Sequence, residues 1–317
     1  MNMLGHKRIL FVGGKGGVGK STSAAALALL HAKQGFRTLL VSTDPAHNLG
    51  DIFHTSLCNK AMNVAQHLDV IEIDPSIEAR DYIKSVKNNI KDVVSSHMHE
   101  EVNRQIDLAS SSPGAEEAAL FDRIVSIILD ESAIYDSIIF DTAPTGHTIR
   151  LLTLPEIMGV WIDGMLDRRK KRNDNYTQLL NDGEPVEDPI YEVLQNRKVR
   201  FAQVRKLLLD KSVTGFIFIL NPERLPILET AKAISLLKKH KLEVSTLLIN
   251  KILSQDIEGD FWKKRKETEA EYLSWIEQEF AQQQKFYIPL FESDINSVSL
   301  LEEFALHIQE KMMLKIE

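Results

Sequence analysis

The sequence predicts an α/β fold: a mostly parallel sheet between helical layers, with a helical subdomain formed by two insertions. Three observations carry that expectation. Short apolar runs ended by turn residues alternate with stripes of apolar residues recurring every three or four positions. The first run ends in glycines and opens directly into an alanine- and leucine-rich stretch. Two long helical stretches, about 76–135 and 152–212, each fall between runs that read as strands.

Strands are expected over 8–12, 37–42, 70–74, 136–141, 214–220, 245–249 and 285–289, all short and rich in Ile, Leu, Val and Phe. Helices are expected from 23, over 118–129, 152–172, 189–210, 229–240, 261–280 and 298–312. In the first insertion Ile83, Val86, Ile90, Val93 and Val94 form a helical stripe, and Met98, Val102 and Ile106 continue it with a phase shift. In the second, Ile157, Met158, Trp161, Ile162 and Met165 do the same and lead into the basic run 168–172. The polar segment 173–189 reads as a loop. Both insertions leave and re-enter one sheet, so they are expected to pack together within a single domain spanning 1–317.

A chain of 317 residues with 44% hydrophobic content can bury a large core. Its net charge of −7 argues against a nucleic-acid surface, so no nucleic-acid partner is expected. A single cysteine, Cys58, rules out an internal disulfide framework and fits a reducing cytosol. Cys58 itself reads as a small buried residue. The chain runs almost at once into its first strand with no signal-peptide pattern, and a cytoplasmic location is expected.

The run 8–12 is followed by Gly14-Lys15-Gly16-Gly17-Val18-Gly19-Lys20-Ser21-Thr22. This fits G-x-x-x-x-G-K-[ST], the phosphate-binding loop, and places the fold among P-loop NTPases. Several backbone N–H groups must converge on one polyphosphate, which demands a tight turn without side chains in the way. Lys20 then reaches the β- and γ-phosphates of ATP, and the Ser21 hydroxyl is a Mg²⁺ ligand.

Two carboxylates end other strands of the same sheet. Asp44 follows the second run and can orient the water that attacks the γ-phosphate. Asp141 ends the fourth and can hold Mg²⁺ directly or through water. Either one alone could equally cap a turn or a helix. Beside a phosphate loop, the catalytic reading gains.

The second lysine of the loop, Lys15, resembles the deviant phosphate loop of a family of dimeric ATPases. That family includes septum-positioning and plasmid-partitioning ATPases, the nitrogenase iron protein and the arsenical-pump ATPase. "DPAHNL" from Asp44 and "DTAPTGHTIRLL" from Asp141 are similar to the two switch segments of the arsenical-pump ATPase and of its relative that targets tail-anchored membrane proteins. The resemblance continues through Pro113-Gly114-Ala115-Glu116-Glu117, Leu152–Pro155, Asn221-Pro222-Glu223 with Glu229-Thr230, and Asn250.

The resemblance implies a homodimer in which Lys15 reaches the partner's nucleotide, with Asp44 activating water. It implies Asn250, Pro289 and Leu290 around the adenine and Glu223 at the partner's nucleotide. Pro45, His47, Thr145, Gly146 and His147 would be switch residues. It implies a Mg²⁺-dependent ATPase acting on a hydrophobic, tail-anchored-like membrane protein or a membrane partner. The motor of an anion or arsenite pump is the alternative, and a membrane- or nucleoid-bound positioning ATPase a second. The chain departs from both nearer relatives in its cysteines. It lacks the Cys-x-x-Cys that holds zinc in the eukaryotic targeting factor, and the three cysteines a soft trivalent metalloid requires.

Overall fold

The protein is described here by a computed structural model that covers residues 7–44, 49–91, 104, 115–142, 146, 152–154, 159, 162–168, 170–171, 189–254, 256 and 258–313. Its strands are β1 (Ile9–Gly14), β2 (Thr38–Ser42), β3 (Met62–Ala65), β4 (Leu68–Glu72), β5 (Ser137–Asp141), β6 (Thr214–Leu220), β7 (Thr246–Ile252) and β8 (Gln284–Pro289). Its main helices are α1 (Lys20–Lys33), α2 (Leu49–Phe53), α3 (Pro75–Lys91), α4 (Ala115–Asp130), α5 (Pro189–Leu209), α6 (Arg224–Lys239), α7 (Asp260–Glu279) and α8 (Val298–Met313).

The strands form one sheet in the order β3-β4-β2-β5-β1-β6-β7-β8. Every neighbouring pair is parallel except β3 with β4. This is the predicted α/β, P-loop NTPase architecture. The short edge hairpin partner β3 and the one-turn helix α2 were not foreseen. Both come from the stretch between Leu49 and Ala65, whose turn-rich sequence carries no sustained period.

The central strands β2, β5, β1 and β6 have almost no exposed residue, because parallel sheets are covered on both faces. On one face α1 packs against the sheet. Eleven of its 14 residues are buried, so it lacks a polar stripe and reads as apolar all round. Leu10, Val12, Ile139, Ile217 and Ile219 meet Ala24, Leu27 and Ala28 there, with Phe304 and Ile308 of α8 closing the layer. On the other face, Phe11 stacks on Phe140 at 4.7 Å and on Phe216 at 5.4 Å between ring centroids.

The chain divides into two compact units, one of Met1–Asp74, Glu131–Arg150 and Leu208–Glu317, the other of Pro75–Asp130 and Leu151–Leu207. The first contains the whole sheet. Within the second, Phe121 of α4 meets Phe201 of α5 at 5.1 Å, and Arg200 forks onto Asp130 at 2.8 and 3.1 Å. Ile162 and Leu166 are buried there, as core residues are, whereas Ile157, Met158 and Trp161 lie outside the described residues. Arg168, Lys170 and Lys171 of the basic run are exposed.

One expectation is corrected. Cys58 is exposed, not buried. It sits in the connection from α2 to β3, beyond the apolar layer, where its backbone carbonyl accepts the Glu72 N–H at 3.3 Å and its side chain has no core to join. No described helix is long and apolar enough to cross a membrane.

Candidate functional site

The site lies at the C-terminal ends of β1, β2, β5 and β7. Strand order fixes this place. β2 lies on one side of β1, beyond β5, and β6, β7 and β8 lie on the other, so the crossovers diverge at the end of β1 and leave a crevice there. A cleft of about 820 Å³ opens at that point, within the range of small-molecule sites. Gly16, Gly17, Gly19, Lys20, Ser21 and Thr22 form its floor, Asp44 one wall, and Asn250, Lys251, Pro289 and Leu290 the opposite one.

The loop between β1 and α1 needs its glycines at two places. Gly14 has φ +146°, and a Cβ there would lie 2.3 Å from the Ile219 carbonyl oxygen. Gly19 has φ +94°, and a Cβ would lie 2.5 Å from Asn250 Nδ2. The first clash is with the backbone of the neighbouring strand β6 and the second with the Asn250 side-chain amide, and at both positions the positive φ by itself favours glycine. Lys20, at 5% exposure, donates to the Lys15 carbonyl at 3.3 Å and lies 3.9 Å from Asp44 Oδ2.

The register of the sheet sets Asp141 opposite Ser42, two residues short of Asp44. Asp141 pairs with Val12 on one side and Ser42 on the other. The next residues prolong the ladder: Thr43 N–H donates to the Asp141 carbonyl at 2.9 Å and Thr142 N–H to the Val12 carbonyl at 3.2 Å. Asp44 is thereby held at the rim, its N–H donating to Ser42 Oγ at 3.3 Å. Asp141 is fully buried, and neither of its carboxylate oxygens has a hydrogen-bond partner among the described residues. Burial pushes its carboxyl up to about 7. The Ser21 hydroxyl, near enough to favour the anion though outside hydrogen-bonding geometry, and the Lys20 ammonium pull it down, while Asp44 and Glu72 push it up.

An orphaned, buried carboxylate beside a serine hydroxyl is a costly arrangement for a protein alone. It is a good one for a hard divalent cation, which takes oxygen ligands and keeps several waters. Asp141 and Ser21 therefore fit the Mg²⁺ expected of them. Bound there, the ion would supply positive charge to the phosphate oxygens.

On the opposite wall, Asn250 is engaged at both ends of its amide. Its Nδ2 donates to the Val18 carbonyl at 2.9 Å and its Oδ1 accepts the Lys251 N–H at 2.9 Å. Pro289 and the half-exposed Leu290 stand beside it. The cleft thus brings Lys20, Ser21, Thr22, Asp44, Asn250, Pro289 and Leu290 together. It does not include Lys15 or Glu223. The Lys15 ammonium, on a side chain 31% exposed, lies 3.8 Å from Glu229 of α6, and Glu223, just before α6, lies 3.8 Å from Arg265 of α7. Gly146 is exposed, and Pro45, His47, Thr145 and His147 lie outside the described residues.

Two contributors were missed from sequence. Glu72 accepts the Leu49 and Gly50 N–H groups at 2.9 and 3.1 Å, so it anchors the N-terminus of α2, just beyond residues 45–48. A glutamate inside the apolar run Val70–Ile73 was the available signal. Lys251 reaches the Gly17 carbonyl at 3.2 Å, and nothing in the sequence marks it.

A mostly parallel sheet whose first strand feeds a glycine loop and a buried lysine, with aspartates at the ends of β5 and β2 on one side of it, defines a P-loop nucleotide hydrolase. The chain belongs to the anion-transporting ATPase family, whose model matches residues 7–310, and it is an ATP hydrolase. Among its relatives is a putative arsenical pump-driving ATPase 2 of Aquifex aeolicus, 34% identical over 94% of this chain and 98% of the relative. The ATPase ASNA1 homolog 1 of Paramecium tetraurelia is 32% identical over 93% and 90%. An ATPase get3 of Pyrenophora tritici-repentis is 31% identical over 94% and 90%.

Proposed function

We propose that the chain is a Mg²⁺-dependent, nucleotide-switched homodimer that couples ATP hydrolysis to the targeting or chaperoning of a hydrophobic, tail-anchored-like membrane-protein client in the cytoplasm. The observation that carries the chemistry is the buried Asp141, beside Ser21 and Lys20 and two residues short of the level of Asp44, with no hydrogen-bond partner among the described residues. In this reading the loop amides and Lys20 hold the β- and γ-phosphates. Ser21 and Asp141 hold the ion. Asp44 takes a proton from the attacking water, and its neighbour Lys20 turns from Asp44 and the Lys15 carbonyl to the phosphates. Asn250, Pro289 and Leu290 border the nucleobase.

The client reading is supported by the relatives named get3 and ASNA1 homolog together with the switch segments that resemble the targeting factor. A pump motor is the second reading, supported by the relative named as pump-driving. Metalloid sensing by this chain is disfavoured because one exposed Cys58 per chain offers at most two thiolates in a dimer. As(III) should therefore leave ATP turnover unchanged. Activation that disappears in Cys58→Ser would instead favour the pump.

The dimer is tested by mixing subunits. Lys15 acts across the interface and Asp44 within its own subunit. Lys15→Ala should bind ATP yet hydrolyse it ~10³-fold or more slowly, as when an arginine finger is withheld. Mixed with Asp44→Asn, both defects fall in one composite site and the other site is intact. Part of the activity should return. No recovery despite demonstrated subunit exchange would mean that Lys15 serves its own subunit, and the dimeric mechanism would be abandoned.

A further inference from the structure

Along a regular strand successive side chains point to opposite faces, so two consecutive residues do not reach the same target. The end of β7 breaks this rule. Ile249 pairs with Tyr287 and Ile252 with Pro289, so Asn250 and Lys251 together stand opposite the single residue Ile288. This is a β-bulge, a device that re-aims side chains. Lys251 completes it with φ +62°, a left-handed conformation that non-glycine residues rarely adopt. Its N–H is tied to the side chain of the residue before it.

The result is that consecutive residues meet consecutive peptides of the phosphate loop. Asn250 Nδ2 donates to the Val18 carbonyl at 2.9 Å, and Lys251 Nζ to the Gly17 carbonyl at 3.2 Å. No described peptide is cis. In a trans peptide the carbonyl and the following N–H point in opposite directions. Carbonyls drawn toward β7 therefore leave the N–H groups of Val18 and Gly19 aimed away from β7, as donors for a polyphosphate.

We propose that Lys251 is a positioning residue for nucleotide binding: its ammonium, beside the Asn250 amide, fixes the orientation of the Gly17–Val18 peptide so that the loop is set for the phosphates before nucleotide arrives. The inference rests on the phosphate-loop reading of the site. Lys251 is exposed, so its replacement leaves the core untouched. An ordinary surface lysine would not need a bulge and a left-handed backbone to reach its partner.

The test measures ADP and AMP-PNP binding by calorimetry on the full chain. Lys251→Met should weaken both by a common factor of about fivefold to tenfold, the scale of one solvent-accessible intramolecular hydrogen bond. Lys251→Arg should restore most of the loss, and in steady-state hydrolysis the change should fall on KM more than on kcat. Lys251→Gly, which relaxes the backbone, should bind as poorly as Lys251→Met. Unchanged affinity for both nucleotides would overturn the proposal, as would wild-type binding by Lys251→Gly. Loss confined to AMP-PNP would replace it with a direct contact to the γ-phosphate. Lys20→Ala serves as the separate control: ADP binding undiminished in that variant would sink the phosphate-loop reading itself, whatever Lys251 does.

Discussion

At the end of β7, Asn250 uses both ends of its amide, on the Val18 carbonyl and the Lys251 N–H. At the end of β5, on the far side of the phosphate loop and beneath Asp44, Asp141 is buried with both oxygens unpartnered among the described residues. The first wall is satisfied by the protein alone and needs no ligand to hold its shape. The second is held by its backbone ladder and the Thr43 and Thr142 hydroxyls, and the buried Asp141 carboxyl carries an electrostatic cost that a cation can offset. Substitutions on the two walls should therefore differ in kind. On the β7 wall they loosen the protein in every state. On the β2–β5 wall they abolish chemistry, and without ligand they leave the fold intact or even stabilise it.

The largest effect is expected at Asp44. Asp44→Asn keeps the side chain's size and loses the base, so single-turnover ATP hydrolysis should fall about 10²–10⁴-fold. ADP affinity should change little, because the loop and Lys20 remain. Turnover within a few-fold of wild type would remove Asp44 from the chemistry and leave the β2–β5 wall with a single working carboxylate.

Asp141→Asn sharpens the contrast through stability. Burial raises this carboxyl from 3.8 to about 7 in the folded protein. Between about pH 4 and 7 the folded chain therefore binds more protons than the unfolded chain, and stability falls as pH rises through that window. Above pH 7 the full penalty of a buried anion is present. The amide carries no charge, so at pH 8 without ligands the variant should be the more stable protein, by on the order of a few kcal/mol. The advantage should vanish near pH 4. Mg²⁺ with ADP should stabilise the wild type more than the variant. Denaturant melts at the two pH values decide this: a variant less stable than wild type at pH 8 would mean that Asp141 is satisfied within the protein, and the two walls would not differ.

Much of this division can be traced in the sequence, and the reasons for the gaps are physical. Gly14–Thr22, Asp44 and Asp141 were legible because each demand is local: a turn without side chains, and a carboxylate at the end of an apolar run. Strands such as Thr214–Leu220 were legible because residues buried on both faces leave an unbroken apolar run. The edge strand β3 was not, since only one neighbour pairs with it and no residue of it is fully buried. The exposure of Cys58 depends on where a loop runs relative to the core, which no period records. Lys251 was invisible for a similar reason. Its reach depends on a bulge and a positive φ set by the register of β7 against β8. Asn250 was placed near the nucleobase by resemblance alone, and its grip on the phosphate loop emerged only from the fold.

That grip gives the smallest of the expected effects and the one that separates two roles for a single residue. Asn250→Ala removes the donor to the Val18 carbonyl and the acceptor for the Lys251 N–H. Leaving such groups unpaired costs about 1–3 kcal/mol. Because the bonds exist without nucleotide, the loss should appear in urea melts of the ligand-free protein, unlike the effect of Asp44→Asn. It should appear again in binding, since a loosened loop must be ordered before its amides can converge. If Asn250 only touched the base, the ligand-free protein would melt as wild type does, and ADP would be weakened while pyrophosphate, which has no base, would not. If it sets the loop, pyrophosphate should be weakened as well, by a factor comparable to that for ADP. Pyrophosphate affinity and ligand-free stability both equal to wild type would show that the β7 wall is no more self-sufficient than the wall it faces.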